Sequence, residues 1–200
     1  MMDVLKWVPL LILVVLILIL LIGNIVIVQQ SKAYVVERLG EDCELMLHGI
    51  SMGAATVLMS TGLELPEQVK GPLCQTVPFT SAWEVFSHVL RSMYHMPAFP
   101  VMQIADRMAR REAGYGLDEC NARKEVMKAR IPILFIHGDR DTFVPCSMVH
   151  ELYGACASPK ELLVIPGASH AEAYYKDTDR YEHAIEELIA RVFGKEENRV

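Results

Sequence analysis

The chain lacks a basic excess, paired cysteines and internal repeats, and these absences narrow what it can be. Nineteen Lys and Arg stand against 25 Asp and Glu, a formal charge of −6 in 200 residues. That is the wrong sign for a nucleic-acid partner, which needs a basic face, so none is expected. The five cysteines, Cys43, Cys74, Cys120, Cys146 and Cys156, are odd in number and scattered, without a CxxC pair. Neither a disulfide framework nor a zinc site is indicated; the thiols read as free and buried, and no metal is expected. No low-complexity segment occurs outside one apolar run.

That run is Trp7–Val28, 22 residues without a charge. As a helix at about 1.5 Å per residue it spans about 33 Å, enough to cross a bilayer. A cleaved signal peptide has an apolar core of about 7–15 residues and a small-residue cut site. Val28-Gln29-Gln30-Ser31 offers no such site. The run is therefore expected to be an uncleaved single-pass transmembrane anchor, residues 7–28, and the protein to sit in a membrane through it. Lys6 on one side and Lys32 and Arg38 on the other leave the orientation open.

Beyond a polar linker, Tyr34–Gly40 has the look of a helix end closed by glycine. A strand over Glu44–Leu47 and a helix to about Ser60 follow. Val69–Val77, broken by Pro72 and Pro78, is read as a strand. Trp83, Phe86, Leu90, Met93 and Tyr94 recur at three- and four-residue spacing, an apolar helix face. Its aromatic and methionine residues either line an acyl pocket or pack on a sheet, and core packing is the expectation. Another helix runs to about Glu112. The last third alternates: helix Asp118–Ala129, strand Ile131–His137, helix Ser147–Cys156, strand Glu161–Ile165, and a final helix with Tyr181, Ala184, Ile185, Leu188, Ile189 and Val192 on one face. Short apolar strands alternating with helices predict an α/β fold with a parallel sheet.

The chemistry centres on His48-Gly49-Ile50-Ser51-Met52-Gly53, a GxSxG stretch between an apolar run and a helical one. A hydroxyl is a weak nucleophile unless held exposed beside a base. The two glycines let the chain turn sharply enough to lift Oγ clear, and the Met52 amide then points where an acyl oxyanion would form. Strand Ile131–His137 runs into Gly138-Asp139-Arg140-Asp141, and strand Glu161–Ile165 into Pro166-Gly167-Ala168-Ser169-His170. In a parallel sheet such loops share one edge, so Ser51, an aspartate and His170 converge there. Their order, serine then acid then histidine, suits this elbow type. One of Asp139 and Asp141 is expected to cap or fix the turn instead. His48 and His137 read as structural, and a surface contact between His170 and Glu172 is the bland alternative for that histidine.

LMLHGISMGAATVLM, PILFIHGDRDTFVP and LLVIPGASHAEAYYKD together resemble the α/β-hydrolase superfamily, in particular bacterial membrane-anchored serine hydrolases of the lysophospholipase-like and serine-peptidase-like group. The similarity covers about residues 34–193. The resemblance implies Ser51 as nucleophile, Asp141 as acid, His170 as base, Met52 as an oxyanion-hole amide, and no cofactor. It implies a small-molecule or lipid ester, a thioester or an amide as substrate.

The resemblance also implies departures. Such proteins bring several strands before the elbow and a loop with a second oxyanion amide, whereas about 15 residues separate the apolar run from the nucleophile strand here. A partial sheet would turn a central strand into an edge, open to aggregation or to oligomer formation. Two further readings therefore stand beside a serine hydrolase: an inactive remnant, and an adaptor that pairs a partner strand along Glu44–Leu47.

Overall fold

The computed structural model describes residues 46–65, 69 and 73–193. Four strands form one parallel sheet in the order β1-β2-β3-β4: β1 is Leu47–Ile50, β2 Leu73–Thr76, β3 Ile133–Gly138 and β4 Lys160–Ile165. The register runs straight across, Leu47 beside Leu73, Leu73 beside Ile133 and Ile133 beside Lys160. Every strand therefore delivers its carboxyl end to one edge.

Helices α1 (Met52–Ser60), α4 (Ala122–Val126) and α5 (Cys146–Ala155) pack on one face, where Leu58, Val126, Ile133, Phe135, Val149 and Leu152 are buried together. On the other, α6 (Ala173–Lys176) and α7 (Thr178–Phe193) bury Ala173, Tyr181 and Leu188 against Cys74, Leu134, Ile136 and Ile165. Residues of β3 alternate between these two clusters, as the two-residue period of a strand demands, and all six are buried. That makes β3 the rigid centre from which the loop bearing Asp141 departs.

Two helices, α2 (Ala82–Ser92) and α3 (Ala98–Ala113), are inserted between β2 and β3. The Ser81 hydroxyl caps α2 by accepting from the Glu84 amide at 3.2 Å. Ala82 and Val85 join Ala55, Val77, Phe79, Val144 and Met148 in a third apolar cluster. The core packing expected of the face Trp83, Phe86, Leu90, Met93 and Tyr94 is not what the fold shows: α2 buries the smaller Ala82 and Val85 instead, Trp83 and Leu90 are half-buried, and Phe86, Met93 and Tyr94 are exposed, as are Met96 and Phe99 beyond them.

Several expectations change. The strand before Ser51 is Leu47–Ile50 and so runs past the expected end at Leu47, because the reversal is completed within the single residue Ser51 and pairing continues up to it; Glu44 and Leu45 of the expected Glu44–Leu47 lie outside the described residues. Among the described residues of the Val69–Val77 stretch, Leu73–Thr76 are the ones that pair with β1 and β3. The helix expected over Asp118–Ala129 shortens to Ala122–Val126, starting where the Asn121 side chain accepts from the Lys124 amide at 3.0 Å. The Tyr34–Gly40 helix end lies outside the described residues.

The membrane location is also corrected. Among the described residues no helix is long and apolar enough to cross a membrane. The longest unbroken one, α7, has 16 residues, about 24 Å of helix, α3 is interrupted by the extended backbone of Phe99, and both carry charges along their length. The Trp7–Val28 run, on which the anchor and the membrane partner rested, lies outside the described residues.

Candidate active site

At the carboxyl edge, Ser51 leaves β1 with φ 54° and ψ −114° and its amide donates to the Thr76 carbonyl at 2.9 Å. A positive φ is uncommon for a side chain with a Cβ and signals a constrained position. Ser51 precedes α1, where a serine commonly caps, yet its hydroxyl makes no capping bond. Instead Oγ lies 3.0 Å from Nε2 of His170. Gly49 is required by close approach: a Cβ there would sit 2.5 Å from the Gly53 carbonyl group, whereas one on Gly53 would meet nothing within 4 Å. Of the two glycines of the motif, the first makes the turn sterically feasible. Met52 opens α1, so its amide lies in the first turn, where no intrahelical acceptor exists and the helix dipole is positive.

His170 follows β4 across the turn Pro166–Ser169. Its Nδ1 donates to Oδ2 of Asp141 at 2.8 Å, leaving Nε2 with the lone pair that faces the Ser51 hydroxyl. The Asp141 side chain is fully buried, and its other oxygen, Oδ1, accepts from the amides of Phe143 at 2.9 Å and Val144 at 2.8 Å. Two fixed dipoles and one imidazole N–H thus hold the carboxylate. The Phe143 ring packs against the imidazole at 4.9 Å between centroids.

Asp139 has a different task. Its Oδ1 accepts from the Gly167 amide at 2.6 Å, which ties the Asp141 loop to the His170 loop. Arg140 adds a backbone bond to the Ala168 carbonyl at 3.0 Å. Gly138 is pressed so closely on that carbonyl that a Cβ would come within 2.1 Å of it. The choice between the two aspartates is thereby made: Asp139 fixes the turn and Asp141 reaches the histidine. Glu172 does not pair with His170; its carboxylate accepts from the Ser169 amide at 3.1 Å and stiffens the same loop.

His48 lies apart from this line. The Tyr181 hydroxyl is 3.0 Å from His48 Nε2 and 2.7 Å from the Thr76 hydroxyl, so α7 holds β1 and β2 together. Burial lowers the His48 pKa and pushes the Tyr181 phenol up to about 12. Phe143 and Thr76 were not singled out from the sequence, and Tyr181 was read only as part of an apolar helix face; an aromatic two residues beyond Asp141 in GDRDTFVP was the available signal for Phe143. Among the described residues no group of His, Cys, Asp and Glu is arranged to hold a metal ion, and Cys74, Cys120, Cys146 and Cys156 are free thiols.

A family model for serine hydrolases, FSH1, matches residues 45–171, which takes in Ser51, Asp141 and His170. The chain belongs to the FSH1 serine hydrolase family. Protein YqkD of Bacillus subtilis is 30% identical to this FSH1-family chain over 143 residues, 72% of this chain and 47% of YqkD. A Mycobacterium tuberculosis protein, Rv2307c, is 29% identical over 122 residues, 61% of this chain and 36% of its own. The chain therefore spans about half the length of YqkD or less of these curated relatives. Among solved structures, puromycin hydrolase superposes with a TM-score of 0.57 at 20% identity, covering 78% of this chain and 23% of its own. An esterase from Pyrococcus furiosus gives 0.55 at 16% identity, covering 74% and 54%. These likenesses identify the fold of the FSH1-family chain as that of α/β-hydrolases.

Proposed function

We propose that this chain is a serine hydrolase that cleaves an ester, thioester or amide through an acyl-serine intermediate on Ser51, His170 and Asp141. The observation that carries this reading is the unbroken line from buried carboxylate to imidazole to hydroxyl, 2.8 Å and then 3.0 Å. Membership of a serine hydrolase family supports the reaction class.

In the first step Ser51 Oγ attacks the carbonyl carbon while its proton passes to His170 Nε2. Asp141 keeps the imidazole in the tautomer that can receive it and stabilises the imidazolium by charge. The carbonyl oxygen becomes an oxyanion beside the Met52 amide, where the positive end of α1 adds to the field. The proton on Nε2 then goes to the leaving alcohol, thiol or amine. Water repeats the sequence on the acyl-serine, giving up its proton to Nε2 and returning Ser51. A short ester is the substrate class to start from.

A fluorophosphonate reacts appreciably only with a serine activated by a base. Labelling of the full chain, lost in Ser51→Ala and in His170→Ala, is the expected result. A folded, monodisperse chain that takes up no label would instead support the non-catalytic reading.

A further inference from the structure

Beneath the acid lies a second imidazole that the proposed reaction does not use. His137 is on β3, fully buried, one residue before the loop that carries Asp141. Its Nε2 is 2.9 Å from the Val144 carbonyl oxygen. A carbonyl only accepts, so this nitrogen carries the proton and Nδ1 carries the lone pair. Nδ1 is buried without a hydrogen-bond partner. An apolar side chain of similar size would have avoided that orphan acceptor; what it would not supply is the donor at Nε2.

Val144 is where that donor matters. Its own amide donates to Asp141 Oδ1 at 2.8 Å, so the ring holds one end of this residue while the other end holds the acid. His137 Nε2 is also 3.7 Å from Asp141 Oδ2, outside hydrogen-bond reach, while His170 Nδ1 is 2.8 Å from that oxygen. The Val144 carbonyl thus draws the His137 N–H away from the oxygen that the base needs. Desolvation by burial lowers the His137 pKa; the Val144 bond and Asp141 pull it upward, while His170 and His150 oppose a second positive charge. The ring is thereby kept neutral, with one donor.

We propose that His137 is a positioning residue: by holding the Val144 carbonyl it sets the amide that aims Asp141 at His170. The proposal rests on the serine hydrolase reading above. Its test compares the full chain with His137→Phe, which keeps a planar ring and loses the donor, and with His137→Gln, whose amide N–H extends to about the position of Nε2. Two quantities are measured per folded molecule, with thermal unfolding midpoints alongside: the rate of fluorophosphonate labelling, and kcat and KM for p-nitrophenyl acetate. The phenylalanine variant is expected to lose about ten- to a hundred-fold in kcat and labelling rate with KM within about two-fold, and the glutamine variant to regain most of that loss. A phenylalanine variant that melts earlier but labels at the wild-type rate per folded molecule overturns the proposal, since the ring would then serve stability alone. Equal losses in both variants overturn it too, because the donor would not be the cause. If the phenylalanine variant does not fold, His137→Met, flexible and without a donor, is read by the same outcomes. An unlabelled wild-type chain is a different failure: it removes the hydrolase reading itself.

Discussion

The loops after β3 and β4 hold one another, whereas the elbow after β1 is held largely by its own backbone. Between the two loops run the Asp139–Gly167 bond at 2.6 Å, the Arg140–Ala168 bond at 3.0 Å and the His170–Asp141 bond at 2.8 Å, with Asp141 buried among them. At the elbow, Ser51 makes a cross-strand bond to Thr76 at 2.9 Å, and its neighbours Ile50 and Met52 are 51% and 46% exposed. A loop has no geometry of its own, so an acid and a base on separate loops need several weak ties to hold an ångström-scale distance. A residue at φ 54° between a strand and a helix is already confined by sterics. Precision comes from packing in one region and from covalent geometry in the other. A positive φ marks both regions: Ser51 at the elbow has φ 54° and Ala171, just after His170, has φ 59°.

The contrast is broken most severely at the junction of the two loops. Asp141→Asn leaves an oxygen for the Phe143 and Val144 amides but turns an NH2 toward His170 Nδ1, which favours the opposite tautomer. A fall of about 10⁴ in kcat is expected, with a thermal midpoint near that of wild type, measured by ester turnover and calorimetry. A fall of less than ten-fold would show that the packed region does not govern the chemistry.

The glycines test the two regions separately. Gly138→Ala forces the acid and base loops apart, and Gly49→Ala forces the elbow off α1, since the added carbons would lie 2.1 Å and 2.5 Å from backbone atoms. Each is expected to cost about 1–3 kcal/mol or more in chemical denaturation, and a slower labelling rate should accompany both. If Gly49→Ala is tolerated, the elbow is not sterically confined and the comparison fails on that side.

Proton linkage gives a smaller effect. Burial lowers the pKa values of both His48 and His137, so the unfolded chain takes up protons at a higher pH than the folded one. Their contribution to stability is full above the ordinary histidine value, about 6.5, and is lost as pH falls below it. The unfolding midpoint should drop between about pH 7 and pH 5, and His48→Gln should make that slope shallower. An unchanged slope would mean that His48 is not desolvated in the folded chain. The smallest change is Gly53→Ala: with nothing within 4 Å of the new carbon, the helix should gain up to about 1 kcal/mol from the better helix former. A loss would place the crowding on both sides of Ser51.

What could be read from the sequence were features written in short spacings. GxSxG between an apolar run and a helical run implies strand, turn and helix whatever surrounds it. The alternation of Ile131–His137, Ser147–Cys156 and Glu161–Ile165 implies parallel strands whose loops share an edge, which brings Ser51, the GDRD loop and His170 together. Hydropathy alone was a weaker guide: it pointed to a membrane, and no helix among the described residues is long and apolar enough to cross one. The tertiary structure decided which partner each polar group has. Asp139 and Asp141 are two residues apart on one loop, and their different roles follow from Gly167 standing by one and His170 by the other. The tie of Tyr181 to Thr76 and His48, and the bond from His137 to Val144, join atoms whose approach depends on how helices and loops settle on the sheet. Chain spacing constrains local conformation through sterics over a few residues, while hydrogen-bond partners are selected by packing to within about half an ångström, and only the folded chain specifies that.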